Sequence, residues 1–245
     1  MNSGQVSRWL PYCGPGPDPS HWLDRWNFDP MFLIAMGGVA IILWHMGSER
    51  RLLYSACALS FLLFVSPFCA LSSALFSVRV THHVLIAALL APLLVYGLPV
   101  ARLRWLGSLG VWTVLQTLTF WFWHAPDFYA WALSSDWVFW FMQLTLLGAA
   151  MGFWATLRRA QAPAAIAALL FSTVQMGLLG ALIVFSPNAL YAPHYLTTAL
   201  WGFSVLEDQQ LAGLIMWVPA AAFYLGSALL VASRWLRRED LGLVQ

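Results

Sequence analysis

The sequence predicts an all-α, polytopic membrane protein: a bundle of seven transmembrane helices with the N-terminus outside and the C-terminus inside. Three observations carry that expectation. Hydrophobic residues make up 61% of the 245 and charged residues only 9%, a balance too apolar for an ordinary water-soluble domain. Seven apolar stretches are of the length that crosses a hydrocarbon core of about 30 Å at about 1.5 Å per residue. The basic side chains are shared unequally between the two sets of connections, which sets the orientation.

Taken in order, residues 1–29 lack the basic start, short apolar core and small-residue cleavage site of a secretory signal. They are expected to remain as an outer tail ahead of a signal-anchor helix, with Cys13-Gly14-Pro15-Gly16-Pro17-Asp18-Pro19 as a turn-rich stretch. Span one, Pro30 to Gly47, opens on Asp29 as N-cap and Pro30 at the first helical position. Span two runs from Leu52 to Leu71 and span three from Val80 to Leu98, with Pro92 inside it. Span four, Trp105 to His124, is stopped by Pro126. Span five, Trp137 to Leu157, carries Gly148-x-x-x-Gly152, and span six, Ala164 to Phe185, carries Gly177-x-x-x-Ala181; both are small-residue faces that suit close helix packing. Span seven, Leu206 to Trp235, follows a Ser204-to-Glu207 capping box and contains Pro219. The two prolines each remove a backbone hydrogen bond and are expected to bend their helices. The chain thus divides into an outer tail (1–29), a membrane domain (30–238) and an inner tail (239–245).

There is no Lys, so all twelve basic side chains are Arg. Nine of them (Arg50, Arg51, Arg102, Arg104, Arg158, Arg159, Arg234, Arg237 and Arg238) fall on the face assigned inside, and three (Arg8, Arg25 and Arg79) on the other. The ten acids divide the opposite way, seven outside and three inside, which makes the outer rim negative and better suited to cations than to anions. Of three cysteines, Cys57 belongs to the inner half of span two, so at most one disulfide, Cys13 to Cys69, is geometrically available. Trp105, Trp121, Trp123, Trp137 and Trp235 fit the aromatic belts of a bilayer. The inner loops are too short to form a domain for nucleic acid or a soluble partner.

Residues able to hold a metal or move a proton gather towards the outer face. His82 and His83 lie near the start of span three and differ by about 100° around the helix, so they point to different neighbours. His124 ends span four at a similar depth, and two imidazoles at one level on adjacent spans are the minimal arrangement for a metal ion or an axially ligated haem. Asp208 enters span seven, where an ionisable group near hydrocarbon needs a partner; His83, His124 and Arg79 are the candidates. Met216 lies about 12 Å deeper on the same span, level with Gln175 and Met176. Imidazoles above thioethers form the softness gradient that selects Cu(I). His194 sits in an outer loop where it can cover the site or be solvated; His21 is read as solvated and His45 as an inner-interface residue without a role.

Several of these runs resemble the CtaG family of cytochrome c oxidase assembly factors: Trp123-His124-Ala125-Pro126-Asp127-Phe128-Tyr129, Leu190-Tyr191-Ala192-Pro193-His194, Asp208-Gln209-Gln210 through Met216-Trp217, and His83 followed by Ala91-Pro92-Leu93-Leu94 and Gly97-x-Pro99. Tyr12-Cys13-Gly14-Pro15 and Trp26-Asn27-x-Asp29-Pro30 look like a proteobacterial branch of caa-type oxidase assembly factors. The resemblance implies a multi-pass protein of the bacterial inner membrane, not an enzyme, that matures haem–copper oxidase by delivering copper to its catalytic subunit. A periplasmic copper donor and a homodimer fit such a role. One departure stands out: relatives carry a His-Met pair one turn ahead of the position of His83, and here it reads Arg79-Val80, with His82 as a candidate substitute.

The expectation is therefore transient binding of copper as Cu(I) at the outer face. His83 and His124 are the ligands, Met216 is a further ligand or transfer point, and Asp208 orients an imidazole or balances charge, with His82 and His194 in reserve. The alternative is an intramembrane haem b electron carrier with His83 and His124 as axial ligands, against which the inner face offers only His45. A retinal-type protein is excluded because no Lys exists for the Schiff base; a transporter stays open, although the span interiors hold almost no charge and no obvious translocation path.

Overall fold

A computed structural model describes residue 9, residues 11–99 and residues 107–240. Everything regular among the described residues is helical. In order these are α1 (Pro30–Met46), α2 (Arg50–Phe64), α3 (Pro67–Ala74), α4 (Phe76–Leu85), α5 (Ala91–Gly97), α6 (Leu109–His124), α7 (Pro126–Ala132), α8 (Asp136–Leu157), α9 (Ala162–Val184), α10 (Val205–Ile215) and α11 (Ala221–Asp240). Short 3₁₀ turns occupy Trp22–Asp24, Ala192–His194 and Thr198–Trp201.

Four helical segments are long and apolar enough to cross a membrane: Phe76–Gly97, Asp136–Leu157, Ala162–Val184 and Val205–Asp240. A fifth is available if α2 and α3 count as one span bent by 47°. The chain is thus an all-helical membrane protein. The first expected span appears as the shorter apolar helix α1 and the fourth as α6; the expected start of the fourth at Trp105 lies outside the described residues, as do Arg8, Arg102, Arg104 and residues 241–245.

Local chemistry sets most boundaries. Asp29 accepts from the backbone N–H of Met31 at 2.8 Å and of Phe32 at 3.4 Å and so starts α1. Ser204 and Glu207 form the reciprocal capping box at α10, with bonds of 3.2 and 2.8 Å. The second expected span is broken instead of straight, because Ser66 caps Phe68 N–H and Pro67 occupies the first position of α3, which restarts the helix in a new direction.

Pro92 and Pro219 do disturb their spans, in each case through a π-helical turn: Ile86–Leu90 joins α4 to α5, and Met216–Ala220 joins α10 to α11. Widening the helix by one residue absorbs the missing proline N–H. The backbones of α9 and α10 approach closely, since a methyl at Gly180 would meet the Gly213 carbonyl at 2.7 Å. Gly152 lies against the Trp112 ring, whereas Gly148 faces open space, so half of the small-residue motif in α8 is used for packing.

The described part of the tail is folded over the end of the bundle where α2 breaks into α3. Cys13 and Cys69 form a disulfide, Tyr12 donates to Asp29 at 2.6 Å, and Trp201 donates to the Pro17 carbonyl at 3.0 Å. Asn27 binds the Val65 carbonyl through its backbone N–H (2.8 Å) and the Phe64 carbonyl through its side chain (3.2 Å). These contacts tie the tail to the break between α2 and α3.

Candidate functional site

His83 and His124 meet inside the bundle. Both are buried, and His83 Nδ1 lies 3.4 Å from His124 Nε2 with the ring planes at 85°. His124 is the last residue of α6, since Ala125 turns to an extended conformation and Pro126 begins α7. Its Nδ1 is 2.7 Å from the Phe120 carbonyl, one turn back. A carbonyl only accepts, so Nδ1 carries the proton and Nε2 presents a lone pair towards His83. On the far side of the pair, His83 Nε2 has no hydrogen-bond partner. Two nitrogens each about 2.0–2.1 Å from a four-coordinate ion stand about 3.3–3.4 Å apart, so the observed spacing fits a ligand pair as well as it fits a long N–H···N bond. The donor set is short, however: among the described residues no group of three or more His, Cys, Asp or Glu side chains is placed to hold a metal ion. A soft ion suits imidazole and thioether donors better than a hard divalent ion would.

Met216 is fully buried and begins the π turn of the last span. That turn packs against α4, the helix that carries His83. Met176, expected at similar depth, is also buried and lines a small crevice with Gln116, Phe120 and Gln175.

Asp208 is buried, but its carboxylate faces the start of α4 and not an imidazole. Oδ2 accepts from Phe76 N–H at 2.6 Å, and Oδ1 accepts from Ser77 N–H at 3.2 Å and from the Ser77 hydroxyl at 2.5 Å. Leu75, the residue at the N-cap position, has no side chain able to do this, so an acid from 132 residues away supplies the cap. Asp208 thereby fixes the position of the helix that presents His82 and His83.

His82 turns away from the pair. Its Nε2 is 3.1 Å from the Leu63 carbonyl, and its ring packs edge-on to Phe64 and parallel to Phe68. His194 is buried in its loop, where the Tyr129 hydroxyl lies 2.7 Å from Nε2. Burial, and next the charge of Arg79, pull the His194 imidazole down to about 3, so the ring is neutral beside the Tyr129 hydroxyl. His21 is exposed beside Asp18, and His45 ends α1 at the other end of the bundle.

Arg79 is completely buried, and none of its three guanidinium nitrogens has a hydrogen-bond partner. Its guanidinium carbon lies 5.1 Å from the Phe139 ring centre, and the Tyr129 hydroxyl interacts with it electrostatically without bonding geometry. The same charge acts on His82, His83 and His194. Sequence reasoning missed this burial, and also Tyr129 and Tyr191; Tyr191 donates to the His124 carbonyl at 2.7 Å and stacks on Phe76 at 3.6 Å. Both tyrosines stand within the runs around His124 and His194, which was the available signal.

A family model described as cytochrome c oxidase caa3 assembly factor (Caa3_CtaG) matches residues 42–238. The chain belongs to this family. The matched span contains the paired imidazoles, Asp208 with the helix it caps, and both π turns, while the tail that carries Cys13 and Tyr12 precedes it. No curated protein and no solved structure gives a significant match to the chain. Membership in the CtaG family makes this an oxidase assembly factor with membrane helices.

Proposed function

We propose that the protein is a seven-span factor of the bacterial inner membrane, N-terminus outside, that holds Cu(I) transiently near the periplasmic face. It would pass the ion to the catalytic subunit of a haem–copper oxidase. The observation that carries the reading is the buried His83–His124 pair, 3.4 Å apart, with the tautomer of His124 fixed by the Phe120 carbonyl. A pair of neutral imidazoles with no carboxylate between them is a weak and soft site, and a weak site can release its ion by ligand exchange. Met216, in the turn packed on the His83 helix, is the candidate third donor or the next stop for the ion. Asp208 acts by holding α4 in register, and His82 and His194 support the packing around the pair. The Arg-rich end formed by Arg50, Arg51, Arg158, Arg159, Arg237 and Arg238 supports the proposed orientation.

The haem reading fits less well. The two nitrogens are 3.4 Å apart in packed surroundings, which leave no room for a macrocycle between the rings. The test is copper content after anaerobic loading with Cu(I), for the wild-type protein, His83→Ala, His124→Ala and the double variant. Each variant is expected to lose bound copper while keeping its helical content. Copper retained in the double variant overturns the ligand assignment, and a Soret band in the purified protein would turn the reading to haem.

A further inference from the structure

A groove lies behind α1. No residue of α1 is buried, and the helix is fixed mainly at its ends. Asn27 and the Tyr12–Asp29 bond hold the outer end, and the Ser48 N–H to Gly97 carbonyl bond of 3.0 Å holds the inner end. Between these ties lies a cavity of about 440 Å³, walled by α1, α2, Ile86, Leu90 and α8. A second cavity of about 350 Å³ shares Ala40, Leu43 and Cys57 with it and continues the groove towards Arg50.

Most of the wall is apolar, and of its polar side chains Gln143 has buried atoms without a partner. Gln143 is only 2% exposed, lines the groove, and has no partner for either its carbonyl oxygen or its amide nitrogen. A buried carboxamide without partners is costly in an apolar medium, so its presence calls for a ligand atom able to accept from it or donate to it. Trp140, one turn earlier on the same face of α8, lines the same groove.

Size and depth decide the class of ligand. A transmembrane helix about 10 Å across would fill on the order of 1500 Å³ over the length from Asp29 to Leu43, about twice the combined room of the two cavities. Gln143 lies seven residues into α8, about 10 Å below its outer end, which is deeper than the ester groups of a phospholipid rest. A head group that itself enters the hydrocarbon is required, with an apolar tail to occupy the rest of the groove. We propose that this groove binds a prenylquinone-type ligand, its ring carbonyl accepting from the Gln143 amide and its tail running along α1 towards Cys57.

The test uses the full-length protein in detergent, with decylubiquinone as the probe and dodecane as a tail-only control, both followed by equilibrium dialysis. Saturable binding of the quinone is expected, weakened about tenfold in Gln143→Leu by loss of one hydrogen bond in an apolar site and abolished in Ala40→Phe, which fills the groove. Thermal unfolding of both variants checks that they are folded. Equal binding by wild type and Gln143→Leu, or equal affinity for quinone and dodecane, overturns the proposal. So does a co-purifying phospholipid that decylubiquinone fails to displace, or cysteine cross-linking at Ala35 that joins two copies through this groove. The site is distinct from the imidazole pair, so its failure leaves the copper assignment standing, and the reverse holds as well.

Discussion

Arg79 and His83 stand one helical turn apart on α4, both fully buried, so the guanidinium shares a helix face with the imidazole that pairs with His124. A permanent cation beside a proposed cation site sets an upper bound on how tightly that site can hold its ion. At an effective dielectric near 20 and a separation of several ångströms, the repulsion is on the order of 1–3 kcal/mol. Arg79→Met should therefore raise Cu(I) affinity roughly tenfold, measured by competition with a chromophoric chelator. It should also raise thermal stability, because a buried charge without hydrogen bonds gives way to an apolar side chain, a change that commonly contributes about 1–4 kcal/mol. An affinity that stays level or falls would show that Arg79 does not act on the pair through its charge.

Asp208 is expected to behave as a structural residue. Its carboxylate accepts three bonds from the first turn of α4, and removing it leaves buried N–H groups unsatisfied at about 1–3 kcal/mol each. Asp208→Ala should lower the midpoint of denaturant unfolding strongly, and Asp208→Asn, which keeps one acceptor, should lower it less. Copper stoichiometry should be retained in whichever of the two remains folded. Loss of copper from a well-folded Asp208→Asn would instead give the carboxylate a direct part at the imidazoles.

The Cys13–Cys69 disulfide closes a separation of 56 residues. On the chain-entropy account a loop of that size stabilises by about 4 kcal/mol. Reduction, or Cys13→Ser, should lower the unfolding temperature. It should also expose Arg25 to trypsin, because the remaining ties are non-covalent, among them the Tyr12 to Asp29 hydrogen bond and aromatic contacts. Unchanged cleavage at Arg25 would mean that the aromatic packing of Tyr12 on Phe139 and Trp140 is enough to hold the tail.

What the sequence made legible was local. Asp29, the Ser204–Glu207 box and the stop at His124 follow from short-range hydrogen-bonding rules, and each is found in place. The His83–His124 meeting was readable because equal depth on adjacent spans leaves little freedom. Ser66-Pro67 is an equally good local start signal, but it lay inside an apolar run and the run was read as continuous. That Asp208 needs a partner is legible, but which partner is not, since Phe76 and Ser77 are 132 and 131 residues away and neither advertises a need for a cap. The burial of Arg79 was equally hidden: an arginine near a span end is expected to reach water, and only the placement of Phe139 and Tyr129 over it closes that route.

His194 should make the protein acid-sensitive in a defined direction. An unfolded histidine takes up a proton below pH about 6.5, whereas the folded imidazole, desolvated and facing the Arg79 charge, resists until about 3. Between these values the unfolded state binds more protons, so stability is fully present above about pH 6.5 and falls as the pH drops through that window. The contribution of this one residue is at most on the order of 4 kcal/mol. His194→Gln can still accept from the Tyr129 hydroxyl but cannot titrate, so its unfolding free energy should fall less between pH 6.5 and 4.5 than that of the wild type. Equal acid slopes for the two proteins would mean that His194 is already free to protonate in the folded state, and that the Tyr129 contact of 2.7 Å does not hold the ring neutral.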